Sequence, residues 1–474
     1  MAKKDKPNEF RYDVLIISDD VVGSRMAGPG IRCWEMAKVM ARHFKVGLAI
    51  PDFSYISPDD ALFKDISFDI YRYSLAQPNN LKNVAASARI VIIQGYILSK
   101  FPFLRHLPVH LIVDVYVPFV LENIFTHRTT TDNIQERHAI HLHDLRVFND
   151  QLQRGDHFLC ATPRQRDLIF GALLALNRIN PRVADQFPAL DDLISIIPFG
   201  LEEAERPVRL SDQPLRRLFP EIGEGDIVIL WGGVLTNWFD PLTLIQAFYE
   251  AIEAEPRLKL IFLSTTHPNP LLPKFAMAQK AINLAQELGL LNRSVFFNQT
   301  WIDYRERSAY FSAADIGISI HQKHLETEYS FRTRILDYIK HELPIICTEG
   351  DYFADFVAKE ELGIVVPAGA MEKLREAILR LAKDKVLRER IKERMRKVKE
   401  KFGWSRVLQP LITHCEKVLE GKAMTWPVPS ERELKYVCLP YREGWIKKMV
   451  KRIMGNKLFR LNWRLIARLR RLGP

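Results

Sequence analysis

Residues 316–350, IGISIHQKHLETEYSFRTRILDYIKHELPIICTEG, constrain the fold more than any other stretch, because strand, loop, helix and strand follow one another without interruption. Ile316, Ile318 and Ile320 alternate like a strand ending at His321, and 344–348 is a short apolar run of the kind buried in a parallel sheet. Between them Phe331, Ile335, Tyr338 and Ile339 recur at helical spacing, with Ser330 placed as the N-cap. The connection also carries His321, His324, Glu326, Glu328, Arg332, Arg334 and Asp337. In an open parallel sheet the carboxyl ends of the strands and the N-termini of the following helices form the ligand crevice, where free N–H groups favour phosphate. Arginine adds a fork of donors matched to phosphate oxygens, and a carboxylate accepts from sugar hydroxyls. A diphosphate joined to a sugar is a nucleotide sugar. The competing account is a solvated loop with surface charge.

The same grammar runs through the rest of the chain. Strands are expected at 12–17, 45–50, 68–73, 90–95, 110–116, 157–161 and 193–201, with helical stretches between them that include a polar helix over 133–153. Residues 202–226 are charged and rich in Pro and Gly, and then DIVILWGGVLTNWFDPLTLIQAF repeats the opening order of strand, glycine turn and helix. A chain of 474 residues exceeds what one core usually serves, so two doubly wound parallel-sheet domains are expected. The boundaries read as 1–201 for the first Rossmann-like domain, 202–225 for a linker and 226–405 for the second domain. A return helix at 406–424 and a tail at 425–474 follow. Residues 371–404 read as one long helix with a solvated charged face.

Candidate site residues cluster at the expected strand ends. Gly23, Gly28 and Gly30 bracket a loop after the first strand, followed by Arg32, and the spacing differs from the dinucleotide fingerprint. Gly232, Gly233 and Asn237 follow the corresponding strand of the second half, and His267 follows the next. Asp114 closes the strand at 110–116 and reads either as a catalytic carboxylate or as a buried structural one. His138 and His141 are three apart, but no third ligand is near, so no metal is expected. The five cysteines show no metal-ligand spacing and read as core thiols in a reducing cytoplasm.

Charge is uneven along the chain. Of the net +11, ten Lys and Arg with no acid fall in 445–474, which leaves about +1 for everything else. This excludes a nucleic-acid-binding body. The tail pairs an apolar stripe that includes Trp445, Trp463, Leu465 and Leu469 with Lys448, Arg452, Arg460, Arg464 and Arg468. Such a helix suits an anionic membrane surface, with packing on the enzyme or on a partner protein as the alternative. No signal-like apolar core and no run of about 18 apolar residues occur, so neither export nor a membrane span is expected.

LETEYSFRTRILDYIKHELPII resembles the donor-site segment of glycosyltransferase family 4, and AGPGIRCWEMAKVM resembles the glycine-rich loop that opens the acceptor domain there. The hallmark of that family is two glutamates separated by seven residues ahead of a helix. Here Asp337 takes the second place and Tyr329 the first, with Glu326 or Glu328 as the substitute. The resemblance implies a retaining glycosyltransferase of the GT-B fold that needs no metal or other cofactor. It further implies a nucleotide-sugar donor and a glycan acceptor, lipid-linked and of a bacterial surface polysaccharide, met at the cytoplasmic face of the membrane. In this reading Asp114, Arg332, Arg334 and Glu328 serve catalysis. Gly232, Gly233, Asn237, His267, His324, Glu326 and Asp337 hold the donor, and Gly28, Gly30 and Arg32 form an acceptor or phosphate loop. A nucleotide-sugar epimerase of the same fold and a non-catalytic subunit of a glycan-assembly complex are the rival readings.

Overall fold

The computed structural model describes residues 10–54, 61–64, 66–126, 133–186, 190–203, 213–272, 275–423 and 426–438. The expected membrane residues Trp445, Lys448, Arg452, Arg460, Trp463, Arg464 and Arg468 lie outside the described residues.

Among the described residues, thirteen parallel strands form two sheets. The first holds β1 (Tyr12–Ile17), β2 (Val46–Pro51), β3 (Asp69–Tyr73), β4 (Ala88–Gln94), β5 (His110–Asp114), β6 (His157–Cys160) and β7 (Ile194–Ile196), in the order β3-β2-β1-β4-β5-β6-β7. The second holds β8 (Ile227–Val234), β9 (Leu258–Ser264), β10 (Val295–Phe297), β11 (Ile316–Ser319), β12 (Ile345–Thr348) and β13 (Gly363–Val366), in the order β10-β9-β8-β11-β12-β13. In each sheet the winding reverses beside the domain's opening strand, between β1 and β4 and between β8 and β11. Crevices open at such reversals, beyond the carboxyl ends of the strands.

Near-continuous apolar strands are what burial on both faces requires. Val14 and Ile16 of β1 face a core that contains Trp34 and Met36 of the helix Gly28–Met40, while Leu15 and Ile17 face a second layer with Leu81 and Phe101. The register Ile16 to Leu48 on one side and Ile16 to Ile92 on the other keeps these faces aligned. Near the chain end the helix Gln409–Leu419 packs back onto the first sheet, where Arg89 donates to the Leu419 carbonyl at 2.5 Å and His414 meets His110 at 3.0 Å.

Two helices differ from expectation. The stretch 371–404 is broken at Asp384, whose carboxylate accepts from Leu387 N–H and starts a separate helix, Lys385–Val398. The helix expected to begin after Ser330 starts instead at Arg334, as Arg334–Lys340, and a separate short helix, Leu325–Tyr329, precedes Ser330. Ser330 ends the first piece, its hydroxyl donating to the Thr327 carbonyl, and does not cap the second. The break at 330–333, extended at Ser330 and already helical in its angles at Thr333, changes which way Arg332 and Arg334 can face.

Candidate active site

The two domains face each other across a cleft of about 390 Å³, within the range of small-molecule sites. It lies at the winding reversals of both sheets. Direct contacts hold the walls together at the rim. Asn269 donates to Asp20 at 2.8 Å, Asn237 donates to the Thr126 carbonyl at 3.1 Å, and Gln165 donates to the Tyr329 carbonyl at 2.7 Å. The ring of Phe125 stacks on His324 with centroids 4.0 Å apart.

Arg334 is the central feature of the second domain's wall. It begins the helix Arg334–Lys340, is 8% exposed, and lies over the rings of Trp231 and Phe239 at 4.4 and 4.1 Å. One terminal nitrogen donates to the Val234 carbonyl at 3.1 Å, and the other, Nη1, is buried without an acceptor. No carboxylate among the described residues pairs with it. Burial without a counter-charge pushes its pKa down to about 10, so the guanidinium still carries its charge at neutral pH. Gly233 keeps the space beside it open, since a Cβ there would sit 3.5 Å from Arg334 Nη2.

The remaining charges on this wall are answered within the protein. Arg332 donates to Glu326 at 2.7 Å, with Asp351 at 3.8 Å on its other side. Arg332 reaches the cleft together with Arg334, because it belongs to the link before the helix and not to the helix. Asp337, one helical turn after Arg334, accepts from Arg307 at 2.6 Å, and both line the cleft. His267 lines it too, with its pKa lowered by burial.

Several expected site residues are placed elsewhere or are engaged by the protein. Arg32 is fully buried and grips both oxygens of Asp114, at 2.6 and 3.1 Å. Its other donors reach the carbonyls of Ile197 and Pro198, and its plane lies over Tyr116 at 4.4 Å. Arg32 as a phosphate ligand and Asp114 as a catalytic carboxylate do not fit this arrangement, because the two are buried and bonded to each other inside the domain. Glu328, expected to serve catalysis, is exposed and does not line the cleft. Glu326 is fully buried against Arg332, and His324 donates from Nε2 to the Trp238 carbonyl at 3.2 Å, shares a hydrogen bond with the Thr327 hydroxyl at 3.2 Å and stacks on Phe125; neither lines the cleft.

Asn237 gives its amide to Thr126 and accepts from Met277 N–H at 3.1 Å, which makes it a clasp between domains and not a donor ligand. Gly232 does line the cleft, but its N–H is donated to the Tyr338 hydroxyl at 2.9 Å and is closed to phosphate. Its lack of a side chain serves packing, since a Cβ would come 2.4 Å from the ring of Phe311. Gly30 likewise permits close approach, a Cβ there falling 1.9 Å from the Val21 carbonyl oxygen. Gly28 differs, with nothing within 4 Å of its Cβ direction, and opens onto the cleft at the start of its helix.

The structure adds cleft residues that the sequence reading left out: Glu122, Thr236, Trp301, Tyr304 and Arg307. Thr236 and Trp301 each hold a buried polar atom without a partner. Their one legible sign is position, just past the ends of β8 and β10. Among the described residues no group of three or more His, Cys, Asp or Glu is placed to hold a metal ion, and no helix is long and apolar enough to cross a membrane.

The family model described as Glycosyl transferases group 1 matches residues 214–398. No curated protein sequence matches the chain significantly. Among solved structures, HepE of Anabaena in complex with UDP and glucose superposes with a TM-score of 0.62 at 12% identity, covering 85% of this chain and 99% of that one. Sucrose-phosphate synthase from Thermosynechococcus elongatus gives 0.55 at 15% identity over 86% and 99%. WaaG, a glycosyltransferase involved in lipopolysaccharide biosynthesis, gives 0.55 at 14% identity over 84% and 98%. Residues 214–398 thus match the group 1 glycosyl transferases, and the two described domains together have the GT-B fold.

Proposed function

We propose that this protein is a retaining glycosyltransferase that moves a sugar from a nucleotide-sugar donor to a glycan acceptor. The observation that carries the reading is Arg334, a buried cation without a carboxylate, set beside the open Gly233 in an interdomain cleft. A desolvated charge without a partner is unfavourable by several kcal/mol in the free protein. A diphosphate supplies the missing charge. The same guanidinium then stabilises the leaving group as the glycosidic bond to phosphate breaks, in a water-poor site where such stabilisation is strongest. Asp337, held by Arg307, accepts from the ribose hydroxyls, and no metal or other cofactor takes part. The match of 214–398 to group 1 glycosyl transferases and the UDP and glucose bound by HepE support the donor class.

The acceptor in this reading is a lipid-linked glycan of a bacterial surface polysaccharide, in keeping with the role of WaaG. The basic tail at 445–474 holds the enzyme on the cytoplasmic face of the membrane. Calorimetry with UDP, GDP and ADP tests the site: one of the three binds, and Arg334→Met weakens it tenfold or more, a charge-assisted contact being worth about 1.5–3 kcal/mol. Equal affinity of the variant and the natural protein would place the phosphates elsewhere.

A further inference from the structure

Glu122 belongs to the helix Phe119–Thr126 of the first domain and lines the cleft from the side opposite Arg334. Among the described residues no donor reaches its carboxyl group. The facing charges that act on it, Glu326 and Arg332, are already paired with each other. Arg332 is flanked by Glu326 at 2.7 Å and Asp351 at 3.8 Å, two carboxylates to one guanidinium. His324 lies 3.5 Å from Glu326, and His321 lies 3.5 Å from Asp351. On its own side the packed helix Ile134–Arg154 presents Asp144, which is held by Tyr96 at 2.8 Å and Asn123 at 2.9 Å. A third carboxylate facing this cluster would have no counter-ion within it, and the charge of Arg334, which lies over Trp231 and Phe239, is not among those that act on it.

Burial first, and the negative charge of Glu326 second, push the Glu122 carboxyl up to about 8, with Arg332 opposing only in part. Both causes depend on the second domain. The Phe125 to His324 stack and the Asn237 bond to Thr126 press this helix against the segment that carries Glu326. With the domains apart, Glu122 would face water and ionise as an ordinary glutamate. Closure therefore takes up a proton. A protonated carboxyl is a hydrogen-bond donor, and it can stand beside an anionic ligand where a carboxylate would repel it.

We propose that Glu122 enters the closed cleft as a neutral carboxylic acid, keeps its proton, and donates a hydrogen bond to an oxygen of the bound glycosyl ligand. This rests on the glycosyltransferase reading for the identity of the ligand. Two measurements on the full chain separate the claims. Infrared difference spectra of the natural protein against Glu122→Gln, recorded at pH 7 and pH 9.5, read the protonation state without any ligand. A protonated-carboxyl band present at pH 7 and lost at pH 9.5 is expected. Its absence at pH 7 overturns the proposal.

The second measurement is release of nucleoside diphosphate from UDP-glucose, GDP-mannose and ADP-glucose across the same pH range. The natural enzyme should lose turnover above about pH 8, where Glu122 ionises. Glu122→Gln retains a donor, so it should fall less than tenfold and lose that alkaline limb, whereas Glu122→Ala should fall about tenfold or more at every pH. A Gln variant that keeps the same alkaline limb, or that is inactive while binding the diphosphate normally, overturns the proposal, the latter because the proton would then have to be transferred. If none of the three nucleotide sugars is bound or cleaved, the glycosyltransferase reading fails, and the infrared band still decides the state of Glu122.

Discussion

Two buried arginines in this molecule have opposite circumstances. Arg32 of the first domain is completely enclosed and grips both oxygens of Asp114, with carbonyls and the Tyr116 ring taking the rest of its surface. Arg334 of the second domain is nearly as enclosed, lies over two aromatic rings, and has no carboxylate. Both lie in the first turns of a helix that follows a strand, and charge alone does not separate them. The difference is the partner. A paired buried cation closes a structure, while an unpaired one leaves a vacancy for an anion.

The largest effect should come from breaking the paired case. Arg32→Met leaves Asp114 buried with no counter-charge, and truncating one member of such a pair costs about 3–5 kcal/mol. Urea unfolding would read this as a lower midpoint at unchanged slope, and the double variant Arg32→Met with Asp114→Leu should recover most of the loss. A single variant as stable as the natural protein would show that Asp114 takes up a proton at no cost, and the contrast between the two arginines would lose its basis.

A smaller effect, and one of opposite sign, is expected at the unpaired site. Arg334→Met removes a desolvated cation that no carboxylate compensates and leaves an apolar chain over the Trp231 and Phe239 rings, so the ligand-free protein should unfold at an equal or higher urea concentration. The stabilisation by saturating nucleoside diphosphate should shrink by about 1.5–3 kcal/mol. A variant that is destabilised without ligand by as much as Arg32→Met would mean that Arg334 is a structural residue.

The sequence carries the architecture because period and burial are local properties. Apolar strands such as YDVLII and the repeated order of strand, glycine turn and helix announce two parallel sheets, and both are present. The site was less legible, because pairing is a property of the folded chain. Arg32 and Asp114 are 82 positions apart, and nothing near either residue shows that they meet. Glu326 and Glu328 differ by two positions, yet the short helix Leu325–Tyr329 buries one and exposes the other. The sequence reading holds that Arg332 and Arg334 cannot both face the cleft squarely if one helix carries both. The break at 330–333 removes that restriction, and only the presence of Glu326 beside Arg332 then distinguishes them. Glu122 escaped notice because its environment comes from the opposite domain.

A third buried base sharpens the comparison by resolving the same conflict through loss of charge. His414, on the returning helix Gln409–Leu419, stacks on His157 at 3.7 Å and meets His110 at 3.0 Å. Burial, then the fields of His110 and Lys417, lower its pKa to about 3, and burial also lowers those of His110 and His157. Arginine starts high enough to remain charged after such a shift, whereas histidine becomes neutral. The sign of the linkage follows. A folded pKa below the unfolded value of about 6.5 means that the unfolded chain binds the proton first, so the stability is whole above pH 6.5 and declines as the pH falls toward 3. Because the site is partly open to water, the contribution of His414 at pH 5 should be on the order of 1 kcal/mol. His414→Phe keeps the stacked ring without the titration, so its unfolding midpoint should fall less between pH 7 and pH 5 than that of the natural protein. Parallel pH dependences would show that the three rings already share a proton when folded, and burial of an unpaired base would then not have selected neutrality here.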